Sequence, residues 1–399
     1  MDGDRRGKGG TATGQWGEST RLVHAGRDPW RQHGFVNAPI YRGSTVLYPT
    51  YDDLMHRRSR YVYGTKGTPT TEALETAWSE LSGAAGTALA PSGLSAVALA
   101  LMSAVKAGDH VLVTDSVYRP TREFCDELLT RLGVETQYYD PVIGAGIDAL
   151  MRENTSVVFV EAPGSQTFEM QDIPAIAEVA HARGAVVMMD NTWATPLYFP
   201  PHARGVDLAI EAGTKYLSGN SDLLLGLVSA NERCWPALRR TYELFSSCPG
   251  PEDVFLCLRG MRTMKLRLRE HERQAFDMAR WLAERPEVAR VMHPGLESDP
   301  GHAIWKRDFT GASGLFSIEL KPASRAALAA FLDGLKLFGM GYSWGGFESL
   351  VIPFDCTTYR TATRFEAQGP CLRFHIGLED LDDLKADLDA GFARLRASA

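Results

Sequence analysis

The sequence has few cysteines and no excess of basic residues. Its six cysteines are scattered, with no CxxC pair and no histidine nearby at the spacing of zinc ligands, so we expect no metal site and only reduced thiols. Lys and Arg total 42 against 49 Asp and Glu, for a formal net charge of −7 in 399 residues. Without a basic cluster, DNA and RNA are not expected partners.

Long apolar runs are also lacking. The longest nearly apolar stretch, LSAVALALMSAV, is shorter than the about 20 apolar residues that a helix needs to cross a bilayer. The first 18 residues are rich in glycine and charge, and no apolar core of a signal peptide follows them. We expect a disordered tail at residues 1–18 and a soluble, cytoplasmic protein without membrane contact.

Alternating helical and strand patterns begin at about residue 68. The predicted strands are GTALAPS, DHVLVTDS, VETQYYD, TSVVFVEAP, GAVVMMDNT, VDLAIEAGT and LLLGLVSA. Their interiors are apolar throughout, as expected of a sheet that is covered on both faces. Helical patterns such as TTEALETAWSELSG lie between them. The pattern predicts an α/β fold with a mostly parallel seven-stranded sheet.

Proline and glycine interrupt this alternation at SSCPGPED, and a long charged helical pattern follows. We therefore predict an α/β domain at residues 61–253 and a smaller α+β domain at 254–399 with strands SGLFSIEL and CLRFHIG. Residues 19–60 lack strong periodicity and are expected to form an arm that contributes to subunit contacts.

Lys215, in the segment EAGTKYLSGNSD, follows a predicted strand, and Asp190 ends another. A lone strand-end lysine is more often solvated, and Asp-Asn-Thr is more often a turn. In an open α/β sheet, however, ligands bind beyond the carboxyl ends of the strands, so both side chains face one crevice. An amine and a carboxylate there suit pyridoxal 5′-phosphate (PLP), which a lysine binds covalently while a carboxylate pairs with the pyridinium nitrogen.

Three further features fit a PLP site. Gly93 and Leu94 open a helix after a strand, where free N–H groups and the helix dipole favour a phosphate, and Thr214 could add a hydroxyl. Tyr118 is placed to lay its ring against the cofactor. Taken singly, these residues are ordinary helix caps or loop aromatics, and their combination at several strand ends favours the cofactor.

The chain resembles the transsulfuration, or Cys/Met-metabolism, PLP-dependent enzymes of fold type I, in their cystathionine β-lyase branch. The resemblance covers nearly all of the chain beyond the tail, through TRLVHAGR, APIYRGST, YGTKGTPTTEALE, DNTWATPLYF, GTKYLSGNSD, YSWGGFESL and LRFHIGLEDLDDL. It implies a PLP-dependent transferase-like large domain. It also implies that Lys215 binds the cofactor and moves protons, that Asp190 pairs with the pyridinium nitrogen, and that Tyr118 stacks on the ring and assists proton transfer.

The resemblance assigns the remaining site residues as well. Gly93 and Leu94 would donate backbone N–H groups to the phosphate, and Thr214 its hydroxyl. Arg373 would hold the substrate α-carboxylate, for which a planar guanidinium is suited. The substrate pocket would be lined by Tyr342, Ser343 and Trp344. Without the resemblance, an ion-paired Arg373 and a core Trp344 would be preferred.

One segment departs from the family pattern. Relatives read Tyr-Gly-Arg or Tyr-Ser-Arg, and both side chains reach the neighbouring subunit's phosphate, which implies a dimer with a shared site or a homotetramer. Here Tyr63 is kept, Thr65 stands at the arginine position, and Lys66 follows. Lysine provides a positive charge but cannot form the bidentate hydrogen bonds of an arginine. That arginine also helps to recognise the far carboxylate of cystathionine.

The expected reaction is α,β-elimination, which converts L-cystathionine into homocysteine, pyruvate and ammonia. The tryptophan of YSWGG is typical of β-lyases in the family. A broader cysteine-S-conjugate or cystine β-lyase is an alternative, as is a γ-lyase or γ-synthase. A PLP-binding regulatory protein is a non-enzymatic alternative, but a DNA-reading form would need a basic face or a helix-turn-helix module, and neither is present.

Overall fold

The larger sheet carries the strands predicted from the sequence. The computed structural model describes residues 16–398. The sheet is formed by β1 (Gly86–Ala90), β2 (His110–Thr114), β3 (Glu135–Tyr139), β4 (Thr155–Glu161), β5 (Val186–Asp190), β6 (Leu208–Glu211) and β7 (Gly226–Ala230). Its order is β1-β7-β6-β5-β4-β2-β3, with only β7 antiparallel to its neighbours. The predicted mostly parallel seven-stranded sheet is confirmed.

The helices of this part of the chain precede the sheet or alternate with its strands. They are α1 (Glu18–His24), α2 (Tyr51–Met55), α3 (Pro69–Ser82), α4 (Gly93–Ala104), α5 (Arg119–Glu123), α6 (Ile173–Ala182), α7 (Thr195–Tyr198) and α8 (Trp235–Phe245). A π-helical turn, Phe124–Leu129, continues α5. The ends of α3 follow its sequence: Thr68 and Thr71 form a capping box, Pro69 takes the first position, and Gly83 ends the helix at φ 73°.

The C-terminal part is a smaller α+β unit, as predicted. Its helices are α9 (Pro251–Met261), α10 (Met264–Ala283), α11 (His302–Asp308), α12 (Arg325–Asp333) and α13 (Leu381–Ala397). Its strands are β8 (Val288–Met292), β9 (Leu315–Leu320), β10 (Leu350–Phe354) and β11 (Cys371–His375), in the antiparallel order β10-β11-β9-β8. The sequence predicted β9 and β11. It missed the two edge strands because β8 has exposed positions and β10 contains Pro353.

A hydrophobic core of the large domain and the core of the smaller unit meet along α10. Val254 and Cys257 of α9, which follow the predicted boundary at residue 253, are buried with the core of the large domain. Met278 and Leu282, near the end of α10, belong to the core of the smaller unit. The change from one core to the other therefore falls within α10, after the proline and glycine that suggested the boundary.

The N-terminal segment packs on its own chain only in part. Helix α1 begins at Glu18, and Leu22 is buried, while residues 1–15 of the predicted tail lie outside the described residues. Further along the predicted arm, large apolar side chains are exposed, including Phe35 at 72% and Leu47 at 86%. Within residues 16–398 no helix has the length and apolar character to cross a membrane, and no cluster of metal-ligating side chains occurs.

Candidate active site

A cavity of about 270 Å³ lies at the carboxyl ends of β4, β5 and β6. It is bounded by the start of α4 on one side and by side chains of the smaller unit on the other. Ten of the residues predicted for the site line it: Gly93, Leu94, Tyr118, Asp190, Thr214, Lys215, Tyr342, Ser343, Trp344 and Arg373. The fold thus brings together residues that are far apart in sequence.

Lys215 lies in the turn after β6. Its Nζ donates a hydrogen bond of 2.6 Å to Ser343 Oγ and lies 5.2 Å from the centre of the Trp344 ring. Burial, together with the nearby charge of Arg373, lowers the pKa of Lys215 to about 8, although Asp190 acts in the opposite direction. This amine therefore loses its proton more readily than an ordinary lysine, as a nucleophile or base requires.

Asp190 is the last residue of β5. Its Oδ1 accepts hydrogen bonds from Thr192 N at 3.0 Å and from Thr192 Oγ1 at 2.6 Å. Burial raises the pKa of Asp190, and the Thr192 hydrogen bonds and the charge of Lys215 oppose that effect. A carboxylate in this place suits a cationic ring nitrogen, because such a partner stabilises the charged form.

Glu161, at the end of β4, is a site residue that the sequence analysis missed. It is paired in register with Asp190 and lines the same cavity. Its Oε2 accepts a 2.8 Å hydrogen bond from the backbone N–H of Tyr118. Burial, reinforced by the neighbouring Asp190, raises the pKa of Glu161 well above its ordinary value. Its place at a strand end, the criterion that selected Asp190, was the available signal.

Tyr118 stands at the mouth of the cavity, directly before α5. Its side chain is 45% exposed and is open to a ligand in the cavity. Partial burial raises the pKa of the phenol, and the negative charges of Asp190 and Glu161 raise it further. The positive charge of Arg373 acts in the opposite direction. The phenol is therefore protonated at neutral pH and free to stack or to donate a hydrogen bond.

The start of α4 offers donors to an anion. Ser92 caps the helix, and the first intrahelical bond runs from Ala96 N to Ser92 O, so the N–H groups of Gly93 and Leu94 precede it. A Cβ at position 93 would lie 2.8 Å from the Cβ of Ala212, so only glycine fits there. Thr214 lies nearby, with its hydroxyl bonded to the backbone of Leu225. The N–H groups of Gly93 and Leu94 fit the phosphate of PLP, whereas the Thr214 hydroxyl donates to Leu225 O in this structure.

Arg373 projects from β11 on the opposite side of the cavity. Its Nη2 donates to the carbonyl oxygen of Ser343 at 3.0 Å, and burial lowers the pKa of Arg373 to about 10. Ser343 has φ 98°, a left-handed conformation that costs a residue other than glycine about 1–3 kcal/mol. Neighbouring contacts must therefore hold this turn, which also carries Tyr342 and Trp344.

Tyr63 and Lys66 do not line this cavity within their own chain. Tyr63 is 49% exposed, and Lys66 Nζ donates to the carbonyl oxygen of Glu243 at 2.6 Å. The prediction that both residues serve a neighbouring subunit stays a prediction.

The loop after β4 forms another wall of the cavity that sequence reasoning missed. Gln166 and Phe168 line the cavity with φ of 69° and 59°. The hydroxyl of Tyr359 donates to Gln166 Oε1 at 3.0 Å, and Arg360 Nη1 bonds Glu169 Oε1 at 2.7 Å. Because Tyr359 and Arg360 are far from this loop in the sequence, no local sequence pattern predicts its conformation.

An amine and a carboxylate beside an anion-binding helix start, in a mostly parallel α/β domain, are the features of a PLP enzyme. Residues 19–393 match the family described as Cys/Met metabolism PLP-dependent enzyme. The chain belongs to this family, which confirms the predicted cofactor and the predicted enzyme class.

Individual relatives cover nearly the whole chain. A Rhizobium johnstonii protein with a provisional cystathionine beta-lyase name is 55% identical over 96% of this chain and 97% of its own. Cystathionine beta-lyase MetC of Escherichia coli is 44% identical over 94% of this chain and 98% of its own. The fold is also similar to a crystal structure of cystathionine gamma synthase from Xanthomonas oryzae pv. oryzae in complex with aminoacrylate and cysteine. The two superpose with a TM-score of 0.88 at 30% sequence identity, over 96% of this chain and all of that one.

Proposed function

We propose that this protein is a carbon–sulfur β-lyase that cleaves L-cystathionine into homocysteine, pyruvate and ammonia. The observation that carries the proposal is the half-buried amine of Lys215, with a pKa of about 8, in a cavity that also holds Asp190 and the anion-binding start of α4. Relatives named cystathionine beta-lyase, at 44–45% identity over most of the chain, support the same reaction.

PLP, when bound, supplies an electron sink for the negative charge that develops at the substrate Cα. Lys215 would hold the cofactor covalently, and Asp190 would keep the pyridinium nitrogen protonated. Gly93 and Leu94 would bind the phosphate through their backbone N–H groups, and Thr214 through its hydroxyl.

Lys215, once the substrate amine has displaced it from the cofactor, would accept the α-proton. The Cβ–S bond then breaks, the electron pair leaves with sulfur, and Lys215 returns a proton to the thiolate. The three-carbon remainder takes up water and yields pyruvate and ammonia.

Substrate orientation would come from groups on the far side of the cavity. Arg373 would hold the α-carboxylate through paired hydrogen bonds, in the cavity that Tyr342, Ser343 and Trp344 also line. Tyr118 would stack on the cofactor ring and assist proton transfer, which its place in the same cavity as Asp190 and Arg373 supports.

The active form would be a homotetramer, a dimer of dimers with shared sites. Apolar side chains exposed along residues 30–63, such as Phe35 and Leu47, support burial of this arm by a second copy. Tyr63 ends that segment, Lys66 follows three residues later, and both would complete the neighbour's phosphate site. Six free cysteines are consistent with a cytoplasmic enzyme.

The test is the keto acid formed from cystathionine by the purified holoenzyme. We expect pyruvate and homocysteine in equal amounts. Formation of 2-oxobutyrate with cysteine would indicate γ-elimination, and absence of turnover of any β-substituted amino acid would favour a non-catalytic PLP-binding protein.

A second candidate is a β-lyase for cysteine conjugates that carry a single carboxylate. Within the described residues, Lys215 and Arg373 are the only cationic side chains that line the cavity. Lys215 would be committed to the cofactor, which leaves Arg373 for one carboxylate. Thr65, at the position of the family's arginine, offers no second cation from a neighbour. Comparison of kcat/KM for cystathionine and S-methylcysteine separates the two candidates.

A further inference from the structure

His375 is a buried residue of β11 that the proposed reaction does not use. It is 1% exposed and lies two positions after Arg373, on the same face of the strand. Both side chains reach the turn Ser343–Gly346. Arg373 contacts the first residue of this turn, at Ser343 O, and His375 contacts its end.

The contact of His375 with the turn involves one ring nitrogen. Its Nε2 lies 3.1 Å from the backbone N of Gly345 and 3.1 Å from the carbonyl oxygen of Gly346. A neutral imidazole protonated at Nδ1 accepts from Gly345, and one protonated at Nε2 donates to Gly346. Either tautomer therefore binds the turn. Burial, foremost, and the neighbouring His271 lower the pKa of His375 well below its ordinary value, so the ring is neutral.

The position of this turn is transmitted directly to Lys215. A Cβ at Gly345, where φ is 86°, would lie 3.0 Å from Lys215 Cα and 2.9 Å from Tyr216 N. The turn is therefore in close contact with the backbone of the lysine. Ser343, at its other end, accepts the hydrogen bond of the lysine amine. A shift of the turn would displace both contacts.

In the proposed function Arg373 serves both the turn and the substrate. Its Nη2 bonds Ser343 O in the structure, and the same guanidinium would also bind the substrate carboxylate. A residue without contact to substrate can hold Ser343 in its left-handed conformation independently of substrate binding. His375 does not line the cavity and has the required contacts.

We propose that His375 is a positioning residue, which clamps the Ser343–Gly346 turn and so holds Ser343 against Lys215 while Arg373 binds the substrate. This inference rests on the proposed roles of Lys215 and Arg373, but not on the identity of the leaving group.

The test compares His375→Gln, His375→Asn and His375→Phe in the holoenzyme. The glutamine amide reaches the place of Nε2 and bonds the turn, whereas the shorter asparagine amide does not. Phenylalanine fills the same space without a polar group. If either His375→Asn or His375→Phe fails to fold, the other still tests the loss of the contact. His271→Asn is the matched control, because His271 is also buried beside Tyr216 but bonds the carbonyl of Ile376 instead.

The main readout is the dissociation constant of glycine, measured from the visible spectrum of the bound cofactor. Glycine has the amine and carboxylate but no leaving group, so this measurement stands even if cystathionine is not the substrate. We expect His375→Asn and His375→Phe to weaken glycine binding about tenfold and to lower kcat as well, as displaced catalytic groups do. His375→Gln should stay within about threefold of wild type, as should His271→Asn.

Equal effects of His375→Asn and His271→Asn would overturn the proposal, because both would then report only the loss of a buried imidazole. A His375→Gln variant as impaired as His375→Phe would overturn it too.

Discussion

Glu161 and Asp190 are paired in register at the ends of neighbouring strands, and both side chains enter one cavity. Their contacts differ. Asp190 accepts two hydrogen bonds from Thr192, whereas Glu161 accepts one from the backbone of Tyr118. Burial raises the pKa of both. The charge of Lys215 opposes this effect at Asp190 and that of Arg360 at Glu161, but the pKa of Glu161 still lies well above its ordinary value. This contrast predicts that one carboxyl functions as an anion and the other as a neutral acid.

Asp190→Asn and Glu161→Gln test that contrast as a matched pair. An amide cannot keep a ring nitrogen protonated, so we expect Asp190→Asn to lower kcat at least about 100-fold. Glu161→Gln replaces a neutral acid by a neutral amide that still accepts from Tyr118, and kcat/KM should stay within about threefold. Steady-state pyruvate release measures both. Similar losses in the two variants would contradict the assignment.

The pKa of Lys215 predicts the reactivity of the cofactor-free protein. Modification of Lys215 by an amine-reactive reagent, followed by peptide mass spectrometry, should have a midpoint at about pH 8, well below that of surface lysines. Since Arg373 lowers this pKa and Asp190 raises it, Arg373→Leu should move the midpoint upward and Asp190→Asn downward. A midpoint equal to that of the other lysines would show that the amine is solvated.

The same pKa has a consequence for stability. The folded cofactor-free protein binds the Lys215 proton more weakly than the unfolded chain does, with a folded pKa of about 8 against an ordinary 10.5. The residue therefore lowers the free energy of unfolding below about pH 8, and this effect disappears as pH rises toward 10.5. Lys215→Met should remove that rise in urea denaturation curves, whereas substitution of the exposed Lys106 should not.

Arg373→Lys tests the carboxylate site. Lysine keeps the charge but loses the paired geometry, so we expect kcat/KM to fall about 10- to 100-fold, mainly through KM. Binding of glycine, followed through the cofactor spectrum, should weaken in parallel. An unchanged KM would place the substrate carboxylate elsewhere.

Thr65→Arg tests substrate choice. If position 65 faces a neighbour's site, a new guanidinium there should favour the far carboxylate of cystathionine over S-methylcysteine by about tenfold in kcat/KM. Thr65→Gln, of similar length without charge, is the control. The same ratio in both variants would mean that this position does not reach the substrate.

Much of the large domain was predictable from the sequence because its strands, apart from the edge strand β3, are mostly buried on both faces and are followed by polar or turn-forming residues. That pattern located the seven strands and, through their ends, Lys215 and Asp190. Glu161 also ends a strand and could have been predicted by the same criterion, but it was not selected. The part of the cavity wall formed by Gln166 and Phe168 was not predictable. Both residues have a left-handed backbone, and their loop is held by contacts with Tyr359 and Arg360, which are remote in sequence.

The central claim is that Lys215 holds the cofactor. Its most direct test is borohydride reduction of the holoenzyme, followed by digestion and mass spectrometry, with Lys215→Ala as the control. We expect the mass of reduced PLP on the peptide that contains Lys215 and none on the variant, which should also lack β-elimination. Attachment of the cofactor to another lysine, or retention of activity by Lys215→Ala, would contradict the account.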